Sequence, residues 1–450
     1  MAGTNDDRIP DHDDRIPDHD DPIRRLDDWN ANALEGLAEE YDTPLYVVDL
    51  GRVTENCDRL REAFPEADVR YAVKAHTGRS VLETVRRAGL DAECASAGEL
   101  QRALAAGFPG DRLHYTAVNP PAHDLDAVVS AWESHPDLTV TVGATDTLDR
   151  LEERGFDGRI CLRVNPGIGA GHHEKVRTGG DAKFGVPRTR ASEAAIDAAE
   201  RFDLVGLHAH AGSGIAGDDL ADHRELVDRM GKLARTVANR LNEVEYPGLE
   251  YVDVGGGFGV PYREEEPPLD LAAVAAATRD ALGSVPGRNG NGARLAIEPG
   301  RYVVADAGVL LTRVNTVKPT AETTIVGVDA GMTDLLRPAL YDAYHPIANL
   351  SAGRCQEAIP ATVAGPICES ADVFCDNRPL TRPERGDVLA VGIAGAYGYE
   401  MASQYNSRPR PAEVAVDGSD ASGPCLVRQR ETVEDLTRVE RPIEPLEDYE

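Results

Sequence analysis

Residues 69–107 read VRYAVKAHTGRSVLETVRRAGLDAECASAGELQRALAAG. Two short strand-like runs, Val69–Ala75 and Asp91–Ser96, each precede a segment with apolar residues at helical spacing, 80–89 and 98–107. A strand followed by a helix, repeated, is the unit of a parallel sheet covered by helices. The alternation continues through Leu113–Val118, Thr139–Ala144, Ile160–Asn165, Leu204–Ala211, Tyr251–Gly255 and Ala293–Glu298, with a helical pattern over 221–241. Eight strands alternating with helices over about 240 residues predict a (β/α)8 TIM barrel.

After residue 308 the character changes. Short β-rich runs separated by turn residues (TTIVGVDA, ATVAGPI, DVLAVGIAGAY, AEVAV) predict a C-terminal, mostly-β domain. Residues 43–50, TPLYVVDL, read as a further strand ahead of the barrel. The expected organisation is an acidic disordered tail over 1–24, an N-terminal segment over 25–50 joining the C-terminal β domain, the barrel over 51–308, and a β domain over 309–450 that completes the active site. The tail repeats DDRIPDH at 6–12 and 13–19 and is too poor in apolar residues to offset its ordering entropy.

The 450 residues carry a net charge of −31, from 78 acidic and 47 basic side chains. That balance repels nucleic acid and anionic lipid. Only five of the basic residues are lysines (74, 175, 183, 232 and 318), and acidic surplus with lysine depletion points to adaptation to high salt. Seven cysteines without a CxxC pair suggest neither a disulfide framework nor a zinc ribbon. There is no apolar run of membrane-spanning length, and MAGTNDDRIP lacks the features of a signal peptide, so a cytoplasmic protein without a membrane partner is expected.

The candidate chemistry gathers at the C-terminal ends of the predicted strands, where barrel active sites are built. Lys74 ends the first strand and His210 the sixth; Gly255–Gly257 follow the seventh; Glu298-Pro-Gly-Arg301 closes the eighth. An amine that can be deprotonated and joined to a carbonyl must be lysine, because arginine stays protonated. The glycines let backbone N–H groups approach an anion, and Arg301 adds charge. His208 and His210, two residues apart on one strand face, admit a metal-ligand reading, but no matching His or Asp stands out at later strand ends. The favoured reading makes His210 a stacking ring and His208 a satisfied core histidine, with no metal. A Schiff-base lysine, a phosphate cradle, a stacking ring and the carboxylate of Glu298 beside a pyridine nitrogen together specify pyridoxal 5'-phosphate (PLP).

The motifs YAVKA, SAGEL (96–100), LRVNPG (162–167), KFGV (183–186), HAHAGSG (208–214), VDVGGGFG (252–259), EPGR, DLLRPALYDAYH (334–345), GPICES (365–370) and GAYGYEMASQYNSRPRPAEV (395–414) occur in this order. Over residues 42–416 the chain resembles the fold-type III PLP-dependent decarboxylases, and most of all the diaminopimelate decarboxylase family. The resemblance implies that Lys74 carries the cofactor, His210 stacks on its ring and Glu298 faces its nitrogen. It implies that Ser213, Gly256, Gly257, Arg301 and Tyr397 hold the phosphate or its surroundings, with Glu93 and Arg163 also near the cofactor. Cys368 would reprotonate the substrate carbon. Arg337, Tyr341 and Glu369 would bind the far end of the substrate, with Arg301 and Tyr397 beside it. It further implies a homodimer with shared active sites, Cys368 and Glu369 coming from the neighbouring subunit. Departures from the family pattern are TAVNPPAHD (116–124), Ala182 where a serine is usual, and Glu93 where an aspartate is usual.

Charge at the far end selects the substrate. Ornithine and arginine offer only a distal cation. Diaminopimelate offers an ammonium and a carboxylate, which Glu369 and Arg337 match in sign. The expected reaction is decarboxylation of meso-2,6-diaminopimelate to L-lysine and CO2, the last step of lysine biosynthesis. A decarboxylase of a related basic amino acid or carboxylated polyamine precursor, a metal-dependent barrel hydrolase, and a non-catalytic relative remain the alternatives.

Overall fold

A computed structural model of the chain describes residues 22–167, 183–210, 212, 215–216, 220–352, 357–417 and 423–441. Strand β1 (Leu45–Asp49) comes first. It is followed by β2 (Asp68–Ala72), β3 (Asp91–Cys94), β4 (Leu113–Tyr115), β5 (Thr139–Val142) and β6 (Arg159–Asn165). Then come the two-residue β7 (Val186–Pro187), β8 (Asp203–His208), β9 (Tyr251–Asp253) and β10 (Arg294–Ile297). Strands β2–β6 and β8–β10 form a parallel ring in chain order, closed by β10 against β2 and passing from β6 directly to β8. The expected eight-stranded barrel is therefore present.

Each predicted strand is found, but most stop one to three residues earlier than read, just before the chemistry. The strand expected to run to Ala75 ends at Ala72, whose N–H donates to the Pro299 carbonyl. The chain then turns into a 3-10 segment, Val73–Ala75, so Lys74 sits in a turn above the strand. The helices follow from local signals. Ser96 caps the helix Ala97–Ala105 by accepting from Glu99 N–H, and the Glu99 carboxylate accepts from Ala95 N–H. This is the reciprocal logic of a capping box, displaced by one residue.

The second sheet contains β11 (Gly308–Pro319), β12 (Thr324–Val328), β13 (Ile347–Asn349), β14 (Ala358–Ala364), β15 (Val373–Thr381), β16 (Val388–Val391), β17 (Ala412–Val416) and β18 (Cys425–Arg428). Its order is β15-β14-β12-β11-β1-β17-β18, with β16 bridging β11 and β13. β1 lies inside it, antiparallel to β11 and parallel to β17. Alternation along β1 explains the placement: Leu45 and Val47 pack with Leu34 and Leu37 of the helix Ala31–Tyr41, while Tyr46 faces a second apolar cluster with Leu310 and Val326. The barrel contributes the largest core, and Val48 and Ala415 of the second sheet join it. The expected tail over 1–24 falls almost wholly on residues outside those described. No described helix is long and apolar enough to cross a membrane.

Candidate active site

A cavity open to solvent, with about 400 Å³ of space including the solvent at its mouth, lies over the C-terminal ends of the barrel strands. Lys74, His210, Gly257, Glu298, Arg301 and Tyr397 line it, together with Phe258. The structure thus brings together residues separated by more than three hundred positions in the chain. Tyr397 is tied to the lysine turn directly, its N–H donating to the Ala75 carbonyl at 2.8 Å.

Lys74 Nζ lies 2.9 Å from Glu93 Oε2. The lysine side chain is 43 % accessible because it stands in the open cavity, whereas Glu93 is buried. Burial of the surroundings disfavours the ammonium, but the charges of Glu93 and Glu298 outweigh it and hold Lys74 above the usual lysine range. Burial pushes Glu93 up, against the pull of Lys74. Arg163, at the end of β6, is buried with its guanidinium over the Phe184 ring, and burial lowers it.

The three-glycine turn differs in role from the sequence reading. Gly255 N–H donates to Asp253 Oδ1 at 2.8 Å, and Gly256 N–H donates to His210 Nδ1 at 3.0 Å. Neither amide is left aimed at an anion. Glycine is required at 256 because a Cβ there would stand 2.1 Å from the Glu298 carbonyl. Gly257 holds φ +100° and does line the cavity. The donor at Nδ1 fixes His210 as the Nε2–H tautomer, and burial pushes its pKa well down, so the ring is neutral. Ser213 lies outside the described residues.

Glu298 is 6 % exposed, and burial raises its pKa against the pull of Lys74, Arg163 and Arg70. Its carboxylate meets His208 Nε2 at 3.1 Å rather than pairing with Arg301. His208 is buried as expected but only half satisfied, since its Nδ1 has no hydrogen-bond partner among the described residues. A further acid does stand at a later strand end, contrary to the sequence reading. One ligand-type atom each of His208, Asp253 and Glu298 lie within 4.8 Å of one another. His210 is not in this group, and Arg70 already donates to Asp253 at 2.7 Å, with Lys74 and Arg163 adding positive charge. These cations work against a metal ion.

Arg301 donates to Tyr262 Oη and lies 5.0 Å over the Tyr397 ring. Arg337 begins the helix Arg337–Tyr341 and is 3 % exposed; it packs 5.2 Å from the Tyr262 ring centre, with His345 Nε2 at 3.4 Å. Among the described residues neither arginine pairs with a carboxylate. Burial lowers Arg337, and the two guanidiniums draw the Tyr262 hydroxyl below its usual range despite its burial. Tyr341, half-buried, adds its influence to both arginines. The sequence marks Tyr262 only as an aromatic four residues after Phe258 in the loop that follows the glycine turn.

Cys368 and Glu369 are exposed and do not line this cavity. Cys368 Sγ lies 3.5 Å from Asn406 Oδ1, and Glu369 accepts from Tyr405 Oη at 2.6 Å.

A half-open cavity holding an amine, a neutral ring of fixed tautomer, a buried carboxylate and an arginine fits a phosphorylated pyridine aldehyde. The comparisons agree. Residues 50–305 match the family model "Pyridoxal-dependent decarboxylase, pyridoxal binding domain". The chain belongs to this family. It is 41 % identical to the diaminopimelate decarboxylase of Methanothermobacter thermautotrophicus, over 91 % of this chain and 94 % of that one. It is 36 % identical to the diaminopimelate decarboxylase of Escherichia coli K12, over 92 % and 97 %. The diaminopimelate decarboxylase of M. jannaschii, solved in complex with L-lysine, superposes with a TM-score of 0.82 at 31 % identity, over 95 % of this chain and 97 % of that one. The enzyme is accordingly a PLP-dependent carboxy-lyase of the diaminopimelate decarboxylase type.

Proposed function

We propose that this enzyme decarboxylates meso-2,6-diaminopimelate to L-lysine and CO2. The observation that carries the substrate reading is the pair of guanidiniums, Arg301 and Arg337, held about Tyr262 without a carboxylate partner among the described residues. A buried cation is costly unless an anion meets it, so the pair suits a substrate carboxylate. The lysine-bound relative supports the same choice.

PLP, when bound, supplies the electron sink for the carbanion left as CO2 departs. Lys74 would hold it covalently through Nζ, His210 would cover one face of its ring, and Glu298 would keep a carboxylate at its pyridine nitrogen. Gly257, Arg301 and Tyr397, with Ser213, would surround its phosphate, while Gly256 would orient His210 through its N–H. Glu93 and Arg163 set the charge about Lys74 and Glu298. Arg337 and Tyr341 would orient the distal carboxylate, and Arg301 would serve both ends of the site. Cys368 of the partner subunit would hand a proton from Sγ to the substrate carbon, and Glu369 of the partner subunit would bind the distal ammonium. The exposure of both residues, away from the cavity of their own chain, supports a homodimer with shared sites. We read residues 51–308 as the cofactor domain and 309–450, joined by 25–50, as the domain that completes the site. The acidic charge balance supports a salt-adapted cytoplasmic enzyme.

The test is incubation of the PLP-loaded enzyme with meso-diaminopimelate, ornithine and arginine in turn, reading CO2 and the amine product. CO2 and lysine from diaminopimelate alone are expected. Turnover of ornithine or arginine with none of diaminopimelate would overturn the reading.

A further inference from the structure

Below the cavity the barrel interior carries charge at positions that barrels usually fill with branched apolar side chains. Arg70 on β2 is 3 % exposed, Asp253 on β9 is fully buried, and His208 on β8 is 1 % exposed. Arg70 Nη1 donates to Asp253 Oδ2 at 2.7 Å, and Gly255 N–H holds the other oxygen of Asp253. Glu298 is hydrogen-bonded to His208, and Asp253 lies within reach of both. The Glu298 N–H in turn donates to the carbonyl of Gly255. Asp253 therefore touches Glu298 by two routes, through the side chains and through the glycine turn.

Two carboxylates in one dry pocket repel each other unless cations compensate. The charged groups here are few. Arg70 comes from β2 and Lys74 from the turn after it; Glu93 comes from β3 and Arg163 from β6. His208 is neutral, held down to about 3 by burial. Arg70 is committed to Asp253 at ion-pair distance, while Lys74 bonds Glu93. Among the described residues this leaves Glu298 with only the neutral His208 at ion-pair distance; Lys74, Arg163 and Arg70 act on it from farther away.

We propose that Asp253 is a positioning residue: by binding Arg70 and bracing the glycine turn, it fixes the Glu298 carboxylate and leaves its charge for the protonated pyridine nitrogen of the cofactor. This rests on the reading of Glu298 given above. Burial raises Asp253 to about 6, with Glu298 adding to the rise, so the pair is sensitive to any change in the cation beside it. Arg70 also has Asp68, at the start of β2, at 3.7 Å. Without the Asp253 charge, the pull of Arg70 on Glu298 is compensated only by Asp68 and turns the Glu298 carboxylate from the cavity. With both Arg70 and Asp253 made neutral, that pull vanishes.

The experiment loads wild type, Asp253→Asn, Arg70→Met, the double variant Arg70→Met/Asp253→Asn, and Glu298→Gln with PLP labelled with nitrogen-15 in the ring. It reads the ring-nitrogen chemical shift against pH, together with kcat and KM. Asp253→Asn is expected to move the shift toward the unprotonated form and to lower kcat by roughly 10- to 100-fold, the range seen for outer-shell supports, with KM little changed. The double variant should recover the wild-type shift and most of kcat. A residue needed only for packing would not be rescued by removing its partner. Should Asp253→Asn fail to fold, Arg70→Met and the double variant decide: the first should shift the nitrogen signal and the second should not. A wild-type signal in Asp253→Asn, or no recovery in the double variant, while Glu298→Gln moves the signal, overturns the role of Asp253 alone. A wild-type signal in Glu298→Gln overturns the reading of Glu298 and the proposal with it.

Discussion

Nζ of Lys74 and Oε2 of Glu93 form an ion pair at 2.9 Å, one member standing in an open cavity and the other buried beneath it. The pair holds the lysine as an ammonium until something displaces the carboxylate.

Lys74→Ala is expected to abolish turnover and the borohydride-reducible link to PLP. It should still fold, because the lysine projects into the cavity and adds little packing. Glu93 then loses its cation, and its already raised pKa should rise further. A group with a raised folded-state pKa takes up a proton on folding, so the variant should lose stability as pH rises through that pKa. Thermal melts across pH 5 to 9 on variant and wild type check this. Full activity in the variant would refute the assignment.

Glu400 anchors the turn that follows Lys74. It accepts from Thr77 N–H at 3.0 Å, Thr77 Oγ1 at 2.7 Å and Arg428 Nη2 at 2.9 Å. Burial opposes its charge, but His76, Arg428 and these donors bring its pKa to about 2. The depressed value means that its contribution is fully present above the unfolded pKa of about 4.3 and is lost as pH falls toward 2. Glu400→Gln should cost on the order of 2–3 kcal/mol at pH 7, with wild type and variant converging near pH 2. Parallel denaturant curves at the two pH values would measure it; an equal gap at both would reject the linkage.

The barrel was legible because its signals are local. Alternating strand and helix patterns, the Ser96–Glu99 capping pair and the glycine turn all lie within short windows. The catalytic candidates were legible as residue types at strand ends. What escaped notice was the support beneath them. Asp253 sits in a strand run, VDV, where one acid among apolar residues gives no hint of its partner Arg70, 183 positions away. β15, VFCDNRPLT, was missed because Asp-Asn-Arg-Pro interrupts the alternation that marks a strand. The order of the second sheet, with β1 beside β11 and β17, depends on pairings across the whole barrel and cannot be read from neighbouring residues.

Removing Arg337 should separate substrates. Arg337→Ala should lower kcat/KM for diaminopimelate by about ten- to a hundred-fold, the equivalent of one charge-assisted bond of roughly 1.5–3 kcal/mol. An analogue lacking the distal carboxylate should lose much less, and PLP affinity should hold. An equal loss for both would show that Arg337 acts through packing on Tyr262.

Salt should stabilise the fold. The Debye length falls from about 10 Å at 0.1 M to about 3 Å at 1 M, which screens repulsion among the surface charges behind the net −31. Buried pairs such as Arg52–Asp306 and Arg70–Asp253 are screened far less. A melting temperature that rises between these conditions is expected, and a flat or falling curve would reject salt adaptation.

The exposed placement of Cys368 and Glu369, outside the cavity of their own chain, leads to a test of assembly. If each site takes Lys74 from one subunit and Cys368 from the other, Lys74→Ala and Cys368→Ala proteins are each inactive alone. Mixed dimers then hold one site with both defects and one with neither. Random exchange makes about half of all dimers mixed, so about a quarter of all sites should become active. The measurement is turnover per total subunit after exchange, relative to wild type, with exchange verified by two size-tagged forms. Recovery near that fraction supports a shared site. No recovery after verified exchange would mean that each chain builds its site alone, and Cys368 would then have to reach the cavity by a rearrangement of the GPICES turn within one subunit.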